Sequence, residues 1–132
     1  MVGQTPCTEQ ADRAFNDKNY HCALEYYNDC WLSKQGADSS HDYEYFYLLD
    51  RIAASKRLLN MSDYRSDYNI VVSAFQRLPG IPWQRNADPR ITLIFADAKY
   101  YLGEYQFALE YYQVAKYFMS SIPVPSRFNY AC

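Results

Sequence analysis

A run of five residues occurs twice in this chain, and an internal repeat constrains a fold more tightly than local propensity does. Tyr20 stands three residues before Ala23-Leu24-Glu25-Tyr26-Tyr27, and Cys30 follows three residues after it. Tyr105 stands three residues before Ala108-Leu109-Glu110-Tyr111-Tyr112, and Ala115 follows. Both copies set aromatic, small, aromatic and small residues at the spacing of one helix face. Units of this kind bury their apolar faces by stacking on one another. A stacked architecture points toward binding of another protein and leaves the partner unnamed.

Apolar spacing is helical almost everywhere. Ala11, Ala14 and Phe15 open a first helix, and Asn16-Asp17-Lys18-Asn19 makes a turn. Ala23, Leu24, Tyr27, Cys30 and Trp31 mark a second helix. Gln35 to Ser40 reads as a loop, and Asp42 as the cap of a third helix through Tyr45, Leu48, Leu49, Ile52 and Leu59. Ser62-Asp63 breaks the pattern before a fourth helix through Tyr68, Val71, Val72, Phe75 and Leu78. Residues 79–89, with Pro79, Pro82, Trp83 and Pro89, read as an inserted loop. A fifth helix follows at Ile91, Ile94, Phe95, Ala98 and Leu102, a turn at Gly103-Glu104, and a sixth helix from Tyr105 to Met119. A tail from Ser120 with Pro123 and Pro125 is expected to be extended. Sustained period-two alternation is absent, so the expected class is all-α. About six helices form an antiparallel helix-pair solenoid in one domain, with pairs near 8–33, 42–78 and 90–119 and a tail at 120–132.

Composition bounds the function. The 132 residues suffice for one domain or about three helix pairs, and 49% hydrophobic content favours a folded chain. Fifteen tyrosines within 18% aromatic content suit half-exposed surfaces, because tyrosine buries a ring and keeps its hydroxyl wet. A formal net charge of −2 gives no electrostatic reason to expect nucleic acid or an anionic membrane. The polar stretch Met1–Gln10 carries no secretory signal, and no apolar run is long enough for membrane insertion. Cys7, Cys22, Cys30 and Cys132 contain no C-x-x-C, so reduced thiols in a cytoplasmic protein are expected. Asn60-Met61-Ser62 matches a glycosylation sequon that matters only in a secreted protein.

Six helices in three pairs, with a small–aromatic–small stripe on the second helix, resemble the tetratricopeptide repeat family. Gly103-Glu104-Tyr105, Ala108, Tyr112 and Ala115 match its second-helix pattern of a Gly-x-Tyr turn followed by Ala-x-x-x-Phe/Tyr-x-x-Ala. Tyr20, Ala23, Tyr27 and Cys30 match with Lys18 in the glycine place. Small residues let helices approach and the aromatic fills the gap between them. The family's first-helix pattern departs more: its positions hold Cys7, Gln10, Ala11 and Ala14 in the first pair and Thr92, Phe95, Ala96 and Lys99 in the last. The middle pair fits two registers, Tyr64 with Asp67, Val71 and Ala74, or Tyr68 with Val71, Phe75 and Leu78. The second is preferred because it buries no aspartate.

The resemblance implies a groove lined by the first helix of each pair that takes an extended peptide or a partner helix. Carried over, the groove holds Asp12, Phe15 and Asn16 from the first pair and Arg90, Leu93, Asp97, Tyr100 and Tyr101 from the last. For each aromatic, interhelix packing is an equally good account. The Lys and Asn of the family's carboxylate clamp are replaced by Thr8, Asp12, Leu93 and Asp97, so no acidic C-terminal peptide is expected. A neutral or mildly basic, aromatic or proline-rich ligand fits better.

The last helix carries a further apolar line, Phe107, Tyr111, Val114 and Phe118, where a terminal repeat normally presents a polar outer face. Its cover is the tail, a second copy of the chain giving a homodimer, or a partner.

No arrangement of residues argues for catalysis, metal or cofactor. His21 and Cys22 are adjacent on a helix and diverge by about 100°. His41, Cys7 and Cys132 lack metal-ligand spacing. Tyr43, Tyr45 and Tyr47 offer phosphorylation no more strongly than packing. The expected function is that of a cytoplasmic adaptor or scaffold recognising a protein partner. The alternatives are a structural subunit of a larger assembly, and a small-molecule-binding domain or enzyme using a tyrosine-rich concavity.

Overall fold

A computed structural model of the chain describes residues 6–37, 43–78 and 88–119. These residues form six helices and no strand: α1 (Pro6–Asn16), α2 (Tyr20–Ala37), α3 (Tyr43–Leu58), α4 (Tyr64–Gln76), α5 (Pro89–Tyr101) and α6 (Tyr105–Met119). Each helix packs on the next, and α3 also packs on α5, so successive helix pairs stack as in a solenoid. The expected cap Asp42, the loop residues 79–87 with their P-x-x-P run and Trp83, His41, Cys132 and the tail 120–132 lie outside the described residues.

The three helix-pair turns share one design. Backbone N–H groups of Asn19, Met61 and Glu104 donate to the carbonyls of Ala14, Lys56 and Lys99 at 2.8, 2.8 and 2.9 Å. Just before them, Lys18, Asn60 and Gly103 adopt left-handed φ of 64°, 62° and 95° and donate to Phe15, Arg57 and Tyr100. This is the Schellman closure, which satisfies carbonyls left free at a helix end. It reverses the chain so tightly that the following helix returns antiparallel. Lys18 therefore does occupy the glycine position, in a conformation that disfavours a side chain.

Helix starts follow from local chemistry too. The Asp88 side chain accepts from the Arg90 N–H at 3.0 Å and Pro89 occupies the first turn of α5, where its missing N–H costs nothing. Asn19 accepts from Cys22 N–H at 3.4 Å at the start of α2. α2 continues through Gln35-Gly36-Ala37, where a loop was expected, so the helix overrides the breaker residue.

Two apolar clusters share α3. Leu48 and Ile52 join Ala11, Ala23, Leu24, Tyr27 and Cys30 of the first pair. Phe46, Leu49 and Ala53 join Tyr68, Val71, Phe75, Ile91 and Phe95 of the later helices. Phe75 and Phe95 stack with centroids 4.1 Å apart and fix α4 against α5. Ala23, Ala108 and Ala115 are wholly buried, which is why the repeat needs small residues there.

α4 starts at Tyr64, and its buried residues are Tyr68, Val71, Ala74 and Phe75, drawn from both registers, with Asp67 half-buried beside them. Asp67 is tolerated there because Lys56 lies 2.9 Å from its carboxylate. Burial still pushes the Asp67 carboxyl above its ordinary range, against the pull of that lysine. The reduced-thiol expectation fails at one pair. Antiparallel return of α2 along α1 sets Cys7 opposite Cys30, with Cα atoms 5.7 Å apart, and the two are disulfide-bonded. Cys22 is a free thiol, half-buried.

Candidate functional site

The repeated tyrosine carries a repeated polar contact. Tyr27 donates from α2 to Asp12 on α1, and Tyr112 donates from α6 to Asp97 on α5, each pair separated by 15 residues. Asp12 also accepts from Tyr47 on α3 at 2.5 Å. A carboxylate on the first helix of a pair is thereby fixed by the aromatic of the second. Burial pushes the Tyr27, Tyr47 and Tyr112 hydroxyls well above their ordinary range, and the neighbouring carboxylates add to the effect, so all three act as donors.

Between these two anchors α3 presents Tyr47, Asp50, Arg51 and Arg57, on one stripe at helical spacing. The Arg51 guanidinium lies 4.7 Å from the Phe15 ring centre and 5.3 Å from that of Tyr47. The Arg57 guanidinium lies 3.8 Å over Tyr101, which also stacks on Tyr68 at 5.6 Å. Cation–π contacts of this kind hold the arginines in place and leave their charge available. One face of α1, α3 and α5 thus alternates Asp12, Arg51, Asp50, Arg57 and Asp97, interleaved with aromatic rings.

Asp50 and Asp97 sit at the centre of that face and feel each other's charge. Burial first and then the charge of Asp97 raise the Asp50 carboxyl, Arg51 and Arg57 draw it back, and the net result is about 7. Burial likewise raises Asp97, against the hydrogen bond from Tyr112 and the fields of Arg51 and Arg57. Near neutral pH the two carboxyls share less than two full charges, as interacting acids do. Both residues are half-buried. A cation placed near them favours the ionised form of both, so the pair is suited to a basic side chain.

The residues expected from sequence divide. Asp12, Phe15, Asp97 and Tyr101 join the face through the contacts above. Asn16 is exposed at the end of α1, and Leu93 is half-buried on α5. Arg90 lies at the start of α5, paired with its own cap Asp88 at 2.6 Å and 3.8 Å over the Tyr43 ring. Tyr100 points to the α6 side, edge-on to Tyr105 at 5.1 Å. Sequence reasoning missed Asp50, Arg51 and Arg57. The signal for Asp50 and Arg51 was a pair of adjacent charges inside the apolar run of Leu48, Leu49, Ile52 and Ala53.

The apolar line of α6 is placed differently from the expectation of an outer face. Phe107 lies edge-on to Phe95 at 6.0 Å, and Tyr111 packs on Phe95 at 4.8 Å and Phe75 at 6.1 Å. Lys99 caps Phe107 at 4.5 Å. Val114 is half-buried, and the Phe118 side chain lies outside the described residues. Phe107 is nonetheless exposed, and with Tyr105, Leu109 and Tyr117 it makes up the exposed apolar groups of α6.

Among the described residues, His21 is exposed and pairs with Glu25 at 3.5 Å, and no group of three or more His, Cys, Asp or Glu side chains is placed to hold a metal ion. No helix among them is long and apolar enough to cross a membrane. Comparison with family models, curated proteins and solved structures gives no match to this chain.

Proposed function

We propose that this chain is a protein-interaction adaptor of the tetratricopeptide type, whose α1–α3–α5 face takes up a partner peptide or helix bearing a basic side chain. The observation that carries this is the Asp50–Asp97 pair, two half-buried residues whose carboxyls are raised by burial, in a frame of aromatic rings. Perturbed acids concentrated on an accessible face are a mark of binding sites. Aromatic and arginine side chains around them are the groups that dominate interface energetics. Recognition is the proposed mechanism, with no catalytic step, cofactor or metal. A photo-crosslinking residue at Asn16 or Leu58, both exposed near this face, should capture a defined partner that the same residue at Gln113 on α6 does not. Capture of one species equally from all three positions, or from none, overturns the proposal.

A second reading, a structural subunit or homodimer, draws on the exposed Tyr105 and Leu109 of α6. Light scattering on the purified chain separates a monomer from a dimer. Cytoplasmic location is proposed with the adaptor, and the Cys7–Cys30 bond is the observation that counts against it, since cytosolic thiols are kept reduced. Alkylation of intact cells resolves the matter: a free pair supports the cytoplasm, and a protected pair assigns an oxidising compartment.

A further inference from the structure

The duplication shows what normally covers each face of a repeat. A shift of 85 residues (from Tyr20 to Tyr105) carries Asp12, Phe15, Leu24 and Tyr27 onto Asp97, Tyr100, Leu109 and Tyr112. The geometry repeats with the sequence. Phe15 and Tyr20 meet at 5.2 Å and 70°, and Tyr100 and Tyr105 at 5.1 Å and 67°. Both aspartates accept a tyrosine hydroxyl from the second helix of the pair.

In the first pair this face is covered by α3, through three contacts. Tyr47 gives Asp12 its second hydrogen bond, at 2.5 Å. Arg51 lies 4.7 Å over Phe15. Leu48 and Ile52 close over Leu24, leaving it 8% exposed. In the last pair no described helix makes these contacts. Leu109 is 52% exposed, Tyr100 44% and Tyr105 62%. Among the described residues Asp97 has one hydroxyl donor, Tyr112, where Asp12 has two.

We infer that the open α5–α6 face docks a helix supplied by a partner and carrying the α3 pattern, tyrosine, aliphatic, two variable residues, arginine, aliphatic, as in Tyr47-Leu48-Leu49-Asp50-Arg51-Ile52. The tyrosine meets Asp97, the arginine lies over Tyr100, and the aliphatic pair closes over Leu109. A cationic side chain also complements the carboxylate of Asp97. A folded second copy does not supply this helix, because its own Leu48 and Ile52 are already buried. The footprint also fits one helix better than a dimer: α6 has 15 residues, about 22 Å long and roughly 10 Å wide, against the ~800 Å² per partner of a stable interface. Helix-in-groove recognition needs only such a strip. The inference stands on the duplication and does not depend on the α1–α3–α5 proposal.

The test uses the full chain and, as probe, a synthetic peptide of residues 43–58 held helical by a staple on its polar side. Titration followed by calorimetry and by NMR of the isotope-labelled protein should show saturable binding, with shifts at Tyr100, Tyr105 and Leu109. Leu109→Asp in the protein, or Arg51→Ala in the peptide, should weaken it about tenfold or more. Leu109 is half-exposed, so the variant should keep its helical circular dichroism, and that spectrum is recorded first. Absence of saturable binding, unchanged affinity in Leu109→Asp, or shifts confined to α1 and α2 (where the peptide would displace the native α3) overturns the inference.

Discussion

Replacing Asp50 by asparagine should make the protein more stable at neutral and alkaline pH. The folded-state pKa is raised from 3.8 to about 7, mainly by burial and then by Asp97. Between those values the folded state binds more protons than the unfolded chain, so stability falls as pH rises. The contribution of this group is fully present below the unfolded pKa and is lost as pH rises through the folded one. About three pKa units correspond to roughly 4 kcal/mol at about pH 8, and about half of that near pH 5.5, as upper values because Asp50 is half-buried. Asparagine keeps the shape and never ionises. Urea titrations of both proteins at the two pH values give the comparison. Expected is a variant that is more stable at both, with the gap widening by about 2 kcal/mol toward pH 8. A variant equal to or less stable than wild type at pH 8, or a gap that does not change with pH, would refute the electrostatic account of this face.

Three further outcomes are expected. Lys18→Gly should stabilise by about 0.5–1 kcal/mol in urea melts, since φ of 64° strains any residue with a side chain. Breaking the Cys7–Cys30 bond, by Cys7→Ser or by reductant, should cost about 3 kcal/mol on the loop-entropy estimate for a separation of 23 residues, seen as a lower thermal midpoint. Tyr112→Phe should destabilise by about 1.5–3 kcal/mol in urea titrations, and more than Tyr27→Phe, because Asp12 keeps Tyr47 while Asp97 has no second hydroxyl donor among the described residues.

The helix count and the pairing were legible because Ala23, Tyr27, Ala108 and Tyr112 state the packing rule twice, and because a turn residue announces each reversal. Lys18 could be placed by that rule although its type argues against it. The middle pair was not legible for a physical reason. Ser62 and Asp63 lengthen its turn by two residues, and the half-buried Asp67 is paired with Lys56, a contact from the preceding helix that no local pattern reveals. The same blind spot hid Asp50, Arg51 and Arg57, since the groove residues were carried over from the first and last pairs alone. Phe107 and Tyr111 illustrate another limit. Helical spacing identified their shared stripe but not the neighbours, Phe75 and Phe95, that cover part of it. The Cys7–Cys30 pairing depends likewise on the antiparallel return of α2 and on nothing in the spacing of the cysteines themselves.

Asp50→Asn also separates binding from folding, because it is expected to strengthen the fold while removing the carboxylate that meets the partner. The most direct measurement is therefore affinity capture from lysate with the wild type, Asp50→Asn and Leu109→Asp side by side, each first shown to be folded by its thermal melt. A partner held by the wild type and by Leu109→Asp, but about tenfold weaker on the more stable Asp50→Asn protein, is the predicted result. A partner retained equally by Asp50→Asn and the wild type would contradict the assignment of the α1–α3–α5 face as the binding surface.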